Sequence, residues 1–594
     1  MSLSYRPMKK TDITPPSFLV LLRIMGRYLR PYRFRFLLGT ALRLSSDLVY
    51  LFTTYALAKA TVLLGYYAIG GSLQNFWFYF VAWVVSHTYV TAVRQIAKYL
   101  CYYVSERVNL DSQAAAFHRL AAIDISWHEK ENTGNKLKRA QNGAEGLRRL
   151  IRIWVDNLVE ITVNFLGIII IVAFTDVTIA GILLLYLGTY LLVALPLSRR
   201  ASQASRLVNQ NEEDYSGLAY EIINNIRSVK VLGMFSQLFV YLKRLDTKVF
   251  LSVITRIRRF RFKSWAQSTW GFIFRVVAMI VIVRGIIHGH YDVGFFILFS
   301  FYFNSLRASA EELSEISQDI TISRYTIARL EGILTEKITI DDNENKVAFP
   351  KNWQTITLAN VSFSYGNRTV LENVSFTIRR GEKIGIVGLS GAGKSTLFKL
   401  LLKEYENFTG DIFFDGISIR QIKKDSYFKQ VAAVLQDTEV FNFSLKENIT
   451  IANAEEANNK PLFKRTLEIA HIKDFVSRLP HGEGTLIGEK GVKLSGGEKQ
   501  RLGIARAIFK QPDVLFLDEA TSHLDLESEE KIKDSLHQFF KDVTAVVIAH
   551  RLTTIQEMDR ILLIEGGRLL ESGNFKTLYK EKGRFFELWE KQRL

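Results

Sequence analysis

The chain has 594 residues, 48% of them hydrophobic, and its 77 Lys and Arg against 59 Asp and Glu give a formal net charge of +18. This length indicates several domains, and the single cysteine, Cys101, excludes an internal disulfide and a cysteine-rich zinc cluster. The basic excess is concentrated beside long apolar segments, which argues against a nucleic-acid partner and for a membrane surface.

Residues 1–33 predict a cytoplasmic N-terminus that carries a membrane-surface helix. They are polar up to Pro16 and then read SFLVLLRIMGRYL, an amphipathic pattern. A helix of this kind lies in the membrane interface and does not cross the bilayer. Because the start of the chain is polar, we predict no cleavable signal peptide.

Residues 34–322 predict a transmembrane domain of six helices. About 20 apolar residues suffice to cross a bilayer. The runs that approach or exceed that length are 35–64, 73–97, 153–175, 177–199, 265–288 and 292–314. Basic segments such as LSRRASQASR and TRIRRFRFK flank the spans on one side, whereas the opposite loops GYYAIGGS and HGHYD contain no Lys or Arg. The positive-inside rule therefore places both termini and the second half of the chain in the cytoplasm.

Polar side chains inside the spans are costly, and we expect them to face the interior of the helix bundle. The candidates, several of which share a helix face, are Arg43, Asp47, His87, Arg94, Asp156, Glu160, Arg275, Asn304 and Arg307. Two interpretations remain open. The residues form internal salt bridges that hold the bundle together, or they line a cavity for an anionic amphiphile such as a phospholipid, a glycolipid or a lipid-linked saccharide.

The second half contains a phosphate-binding pattern. In EKIGIVGLSGAGKSTLFKLLL an apolar strand, a glycine-rich loop and a helix follow one another, and Gly388 to Ser395 fit G-x-x-x-x-G-K-[ST]. Backbone N–H groups of such a loop surround phosphates, Lys394 reaches the outer two phosphates, and the Ser395 hydroxyl binds Mg²⁺.

Two later strands bring acid and base groups to the same place. PDVLFLDEATSHLD predicts a buried strand of a parallel sheet that ends in Asp518 and Glu519. One carboxylate there can hold the Mg²⁺ shell while its neighbour polarises an attacking water. The strand TAVVIAH carries His550 to the same edge.

Further motifs follow in order: Tyr365 in VSFSYGNRTVLENVSF, Gln436 in VAAVLQDTEVFNFSLKENI, then GTLIGEKG, LSGGE, SHLD and IAHRL. Together they resemble the nucleotide-binding domain of ATP-binding cassette (ABC) transporters, over almost all of 352–590. The resemblance implies an all-α six-helix transmembrane domain followed by an α/β P-loop NTPase domain with an antiparallel β subdomain and a helical subdomain. The polar stretch IDDNENKVAFPKN marks the boundary, which gives a linker at 323–350 and a nucleotide-binding domain at 351–594.

The resemblance implies a role for each matching residue, with ATP and Mg²⁺ as ligands. Tyr365 stacks on adenine, Glu519 is the general base, His550 contacts the γ-phosphate, and Ser522 and Asp525 belong to the loop after the acidic strand. The implied ATP-binding residues are Tyr365, Gly388, Ser390, Gly391, Ala392, Gly393, Lys394, Ser395, Thr396 and Gln436, and those of Mg²⁺ are Ser395, Gln436 and Asp518.

The signature, which comprises Ser495, Gly496, Gly497 and Glu498, is implied to close over ATP bound by a second copy of the cassette. Such an arrangement would let helix N-termini on two chains share the charge of one ATP. Glu498 stands where glutamine is more frequent, and Ser495-x-x-Glu498 is also a helix-capping box. We predict that Glu498 folds back on its own helix and leaves the Ser495 hydroxyl and the glycine amides for the phosphate.

The six spans fused to a cassette resemble half-transporter exporters, with two cytoplasmic coupling loops around Ser126–Glu131 and 217–227. The implied function is an ATPase in a cell (inner) membrane that exports or flips an amphipathic, lipid-like substrate, and the intact site residues favour a homodimer. Alternatives of the same architecture are a peptide or drug exporter, half of a heterodimer, and an ATP-gated channel or regulator.

Overall fold

The computed structural model describes residues 17–68, 70, 72–129, 133–340, 343, 345–488, 491–518, 543–548 and 555–593. The chain divides into two compact units. The helical unit comprises Met1–Ala121 and Thr133–Glu336, and the sheet unit comprises Ala122–Asn132 and Lys337–Leu594. A short segment from between two long helices therefore belongs with the sheet unit.

The described part of the helical unit consists of helices. Their bounds are α1 Phe18–Leu29, α2 Arg33–Ala68, α3 Phe76–Ala122, α5 Thr133–Ile153, α6 Val159–Thr175, α7 Val177–Asn224, α8 Ile226–Val231, α9 Phe235–Ile287 and α10 Val293–Leu334, with α4 Ile125–His128 in the sheet unit. A turn of π-helix, Trp154–Leu158, joins α5 to α6. Six helical stretches in the described residues are long and apolar enough to cross a membrane, which confirms the predicted number.

The long helices extend well beyond the predicted spans. Helix α9 has 53 residues, about 80 Å, whereas the span predicted within it covers 265–288. The apolar run locates only the part that would cross the bilayer, because the helix continues through polar sequence that contains no breaking residue. In α7 the helix continues even through Pro196, a residue type that often ends a helix.

Tyrosine and phenylalanine side chains from α7 and α10 pack at the centre of the helical unit. Tyr186, Phe299, Tyr302 and Phe303 are all at most 1% exposed. The Tyr302 hydroxyl donates to the carbonyl of Leu51 at 2.9 Å, which ties α10 to α2. Ring packing and one buried hydrogen bond thus fix these helices against each other.

The second predicted coupling loop is divided between two helices. Of the residues around 217–227, those up to Asn224 belong to α7, and α8 covers Ile226–Val231. Asn225 leaves helical geometry, with φ −103° and ψ 25°. In the first loop α4 begins after Asp124, and residues 130–132 lie outside the described part.

The sheet unit contains two sheets. The strands are β1 Thr355–Tyr365, β2 Arg368–Arg379, β3 Lys383–Val387, β4 Thr409–Phe414, β5 Ile417–Ser418, β6 Val431–Val434, β7 Val514–Asp518, β8 Thr544–Ile548, β9 Arg560–Glu565 and β10 Arg568–Gly573. The antiparallel sheet has the order β2-β1-β4-β5, and the other sheet has the order β10-β9-β3-β8-β7-β6. In the second sheet β9, β3, β8, β7 and β6 are parallel, so their carboxyl ends lie at one edge.

Helices cover both faces of the parallel sheet. They are α11 Lys394–Leu401, α12 Lys424–Gln430, α13 Leu445–Thr450, α14 Lys460–Ile469, α15 Lys473–Ser477, α16 Gly496–Lys510, α17 Phe575–Glu581 and α18 Arg584–Arg593. Alternate residues of β7 enter different cores: Leu515 and Leu517 pack with α13, α14 and α16, whereas Val514 and Phe516 pack with α11. This alternation explains why the strand is a continuous apolar run.

Candidate functional site

The phosphate loop lies between β3 and α11, as predicted. Two of its glycines have no room for a side chain: a Cβ on Gly388 would lie 2.1 Å from the Ile564 carbonyl oxygen, and a Cβ on Gly393 would lie 2.8 Å from Leu371. Gly393 also has φ 106°, which a residue with a side chain rarely adopts. The sequence therefore needs glycine at these two positions to build the turn.

The lysine of the loop folds back over it. Lys394 Nζ donates to the carbonyl oxygens of Gly388 at 2.7 Å and Leu389 at 3.0 Å. Ser390, Gly391 and Ser395 are exposed, whereas Ala392 and Thr396 are buried. The first turn of α11 thus presents N–H groups, an ammonium and a hydroxyl together, which is the arrangement of an anion site.

Oxygen ligands from two neighbouring strands lie at the same edge of the sheet. Asp518 is the last residue of β7 and is in register with Ile548 of β8, and Gln436 follows the end of β6 by two residues. The hydroxyl of Ser395, the amide oxygen of Gln436 and the carboxylate of Asp518 are the kinds of ligand that Mg²⁺ prefers. The described residues therefore fit a magnesium site beside the phosphate loop. Glu519, Ser522, Asp525 and His550 lie outside the described residues.

Tyr365, the predicted adenine residue, ends β1 with 38% of its surface exposed. Its ring contacts the Tyr405 ring edge-on, with centroids 5.6 Å apart. The Tyr405 hydroxyl donates to Glu129, whose carboxylate also accepts from Lys399 Nζ of α11 at 2.9 Å. Burial and the bond to Glu129 raise the pKa of Tyr405. The segment after α4 thus contacts residues beside Tyr365, and no motif in the sequence marks Glu129, Lys399 or Tyr405.

The signature begins α16 with a complete capping box. Glu498 N–H donates to Ser495 Oγ at 3.3 Å, and Glu498 Oε2 accepts from Ser495 N–H at 2.8 Å. These bonds confirm that Glu498 folds back on its own helix. The Ser495 hydroxyl donates to Glu498 Oε2 at 2.8 Å, and its contact with a phosphate stays a prediction.

A half-buried arginine, Arg506, and a buried asparagine, Asn448, connect the segment after Gln436 to α16. Arg506 donates to the carbonyl oxygen of Asn448 at 2.7 Å, to Asn448 Oδ1 at 2.7 Å and to the carbonyl oxygen of Glu439 at 2.6 Å. Asn448 is fully buried and donates to the carbonyl oxygen of Phe441 at 2.9 Å. This connection was not predicted, since Arg506 and Asn448 are 58 positions apart in the sequence.

Four of the candidate residues within the spans form one ion-paired network, which we call the α2–α3–α6 network. Arg43 is 1% exposed and pairs with Asp47 at 2.8 Å and with Glu160. Arg94 of α3 pairs with Asp47 at 2.8 Å. Asp156 accepts from Lys98 at 3.1 Å. The network members are Arg43, Asp47, Arg94 and Glu160. The pair of Asp156 with Lys98 is separate, although Arg43 also donates to the carbonyl oxygen of Asp156 at 3.4 Å.

The other candidates lie apart from this network. Arg307 pairs with Glu311 at 2.7 Å on α10, and Arg275 of α9 donates to Asn304 Oδ1 at 3.3 Å. No carboxylate among the described residues forms an ion pair with Arg275. His87 is exposed on α3.

Two buried tyrosines near Arg307 were not predicted. The hydroxyls of Tyr186 and Tyr190 have no hydrogen-bond partner among the described residues, and both side chains are at most 1% exposed. Their four-residue spacing in LLLYLGTYLLV is a signal that could have indicated a polar stripe on α7.

Comparison with known proteins agrees with this architecture. Residues 36–309 match the family described as ABC transporter transmembrane region, and residues 371–522 match the family described as ABC transporter. The Beta-(1-->2)glucan export ATP-binding/permease protein NdvA of Bartonella quintana is 30% identical over 82% of this chain and 81% of its own length. Heavy metal tolerance factor 1 of Caenorhabditis elegans is 29% identical over 84% of this chain, which spans 62% of that protein.

A solved structure extends the comparison to nearly the whole chain. The structure of a bacterial Atm1-family ABC exporter with ATP bound has a TM-score of 0.83 and 25% identity, and the match covers 95% of this chain and 99% of that one. Proteins of this family use ATP, with Mg²⁺ generally required. The chain is therefore an integral membrane protein of the ABC transporter family, with its membrane region and its ATP-binding cassette fused as in the half-transporter exporters.

Proposed function

We propose that this chain is an ATP-hydrolysing exporter that moves an amphipathic, anionic substrate from the cytoplasmic side outward. The phosphate loop and the oxygen ligands at the sheet edge support the ATPase part of the proposal. Positively charged segments beside the spans support a cytoplasmic cassette and cytoplasmic termini in a cell (inner) membrane.

Each residue of the nucleotide site has a physical task. The N–H groups of the loop from Gly388 to Thr396 and the Lys394 ammonium bind and orient the phosphates, and Tyr365 offers a face for adenine. Ser395, Gln436 and Asp518 would hold Mg²⁺, which would supply positive charge to the terminal phosphates. Glu519 takes a proton from the attacking water, and His550 contacts the γ-phosphate.

We propose that the transporter is a homodimer. The sequence has a complete set of site residues, so two copies would form two working sites, each completed by Ser495, Gly496 and Gly497 of the other copy. A heterodimer with a degenerate second half is the alternative. A purified, tagged chain that reaches full ATPase activity without any other protein would support the homodimer.

We infer an anionic substrate from the bonding partners of the arginines in the spans, which differ in charge. Arg43 and Arg94 are neutralised by carboxylates, whereas Arg275 has a neutral amide partner. An uncompensated cation within a span is costly and marks a functional site by default. The two relatives have names that refer to glucan export and to heavy metals. Family membership therefore leaves the substrate open, and the lipid-like class rests on Arg275 and its surroundings.

The test is ATPase activity of the reconstituted protein with candidate amphiphiles. Wild type, Arg275→Gln and Arg284→Gln are compared in vesicles of anionic and zwitterionic lipid, with Glu519→Gln as the inactive control. Arg284 lies in the last turn of the same helix and is exposed, so its long side chain can reach the membrane interface, and it serves as a control for charge outside the interior of the span. We expect anionic lipid to stimulate wild type and Arg284→Gln, and Arg275→Gln to lose most of that stimulation.

Two results would reject parts of this proposal separately. If Glu519→Gln hydrolyses ATP as fast as wild type, the assignment of the catalytic base is wrong. If anionic and zwitterionic lipids act equally on wild type and on Arg275→Gln, the lipid-like substrate is wrong and a peptide or drug exporter is favoured.

A further inference from the structure

At the signature, the capping box engages a donor, the Ser495 hydroxyl, that the proposed function assigns to a phosphate of ATP. The Ser495 hydroxyl and the Ser495 N–H both donate to Oε2 of Glu498, each at 2.8 Å. A hydroxyl has one hydrogen to donate. In this arrangement the serine hydroxyl cannot donate to a phosphate until it leaves Glu498.

The remaining donors at this helix start are amides. Gly496 and Gly497 are the first two residues of α16, and their N–H groups have no acceptor among the described residues. The next two N–H groups of α16 are satisfied by Ser495, through its Oγ and its carbonyl oxygen. The Glu498 carboxylate thus occupies the position beside the helix start where an anion is stabilised.

We propose that Glu498 competes with the phosphate of an ATP bound by a second copy for the Ser495 hydroxyl, and so raises the ATP concentration needed to close the two cassettes. The inference rests on the proposed role of the signature in the second copy's site. Its physical basis is that the carboxylate both holds the donor and repels the incoming anion. Glutamine at this position can accept from the Ser495 N–H through its amide oxygen without a negative charge.

The chain contains a matched capping box away from the signature. At the start of α13, Ser444 N–H and Ser444 Oγ donate to Glu447 Oε2 at 2.9 and 2.7 Å, and Glu447 N–H donates to Ser444 Oγ at 3.1 Å. Hydrogen bonds from the side chain and the backbone of Ser444 lower the pKa of Glu447. Because the two boxes have the same bonds, Glu447→Gln reproduces the loss of a capping carboxylate without changing the signature.

The experiment measures the ATPase kinetics of the full-length protein in nanodiscs with MgATP. We expect Glu498→Gln to lower KM for ATP by about two- to fivefold, the range of a charge at a helix terminus, with little change in kcat. High salt should reduce the difference from wild type, because it screens the repulsion. Glu447→Gln should leave KM unchanged, and unfolding midpoints of both variants check that each is folded.

Three outcomes are distinguishable. A KM for Glu498→Gln that equals or exceeds that of wild type would overturn the competition. If Glu498→Gln does not fold, Glu498→Ala replaces it, because Ser495 can still cap the helix, and the same fall in KM is expected. Ser495→Ala tests the underlying function: if it hydrolyses ATP like wild type, the signature serine is not part of the site, whatever Glu498 does.

Discussion

Two arginines, the buried Arg43 and the half-buried Arg506, form different kinds of bond in different regions of the molecule. Arg43 in the helical unit is bonded to the carboxylates of Asp47 and Glu160. Arg506 in the sheet unit is bonded to carbonyl oxygens of Asn448 and Glu439, and no carboxylate among the described residues pairs with it. Burial lowers the pKa of Arg506, yet three hydrogen bonds hold the charged form.

The difference follows from the surroundings of each region. In a membrane-spanning bundle a charge is tolerated when an opposite charge neutralises it. On α16, carbonyl oxygens position the guanidinium of Arg506 without neutralising its positive charge. We therefore expect Arg43 to serve stability through charge pairing and Arg506 to serve it through the geometry of its hydrogen bonds.

The largest expected effect comes from Arg43→Ala, which leaves the buried Asp47 and the half-buried Glu160 with fewer positive partners. Breaking a buried ion pair from one side costs about 3 to 5 kcal/mol of folding free energy. The measurement is unfolding of the detergent-solubilised protein, followed by a spectroscopic probe of helix content.

Arg275→Ala is the control for this variant, since Arg275 also lies on a long helix of the same unit but has no carboxylate partner. We expect it to cost less than about 1 kcal/mol, the net value of one ordinary hydrogen bond. If Arg43→Ala and Arg275→Ala lose equal folding free energy, the ion pairs of Arg43 do not stabilise the protein more than the single hydrogen bond of Arg275.

A smaller effect is expected from Arg506→Lys, which keeps the charge but loses the planar arrangement of donors. Losing hydrogen bonds from a charged group costs about 1.5 to 3 kcal/mol each, partly recovered by the lysine ammonium, so we expect about 2 kcal/mol. Chemical unfolding of the full chain measures it, with Arg465→Lys on an exposed position of α14 as the control. A stability equal to wild type would show that the charge alone suffices.

The smallest effect concerns the pH dependence of the contact between Glu129 and its two partners. Burial tends to raise the pKa of Glu129, but the hydrogen bonds from Tyr405 and Lys399 outweigh it and lower the pKa below the ordinary 4.5. A depressed carboxylate pKa contributes stability that is complete above the unfolded value and is lost as the pH falls through the folded value.

We therefore expect wild type to lose up to about 1 kcal/mol more than Glu129→Gln when the pH is lowered below 4.5. Unfolding of both proteins across this acid range measures the difference. Parallel pH profiles would show that the charge of Glu129 does not stabilise the contact. Tyr405→Phe should give an intermediate profile, because Lys399 remains as a partner.

Much of the architecture could be predicted from local sequence. The six spans follow from apolar runs of sufficient length, and the phosphate loop follows from glycine, lysine and serine at fixed spacing. The capping box was also predicted, because Ser495 and Glu498 are three positions apart and a helix start brings them together. The division of the second coupling loop into α7 and α8 was not predicted, because no glycine or proline marks Asn225, where the helix is interrupted.

The contacts that only the tertiary structure decided join residues far apart in the chain. Arg43 and Glu160 are 117 positions apart, and Glu129 and Tyr405 are 276 apart. Sequence spacing determined which residues share a strand, a loop or a helix face, because backbone geometry is periodic. Which face meets which depends on packing between elements. The sequence therefore left two interpretations open for the charged residues of the spans, and the packing of α2, α3 and α6 brought Arg43 and Arg94 to carboxylates.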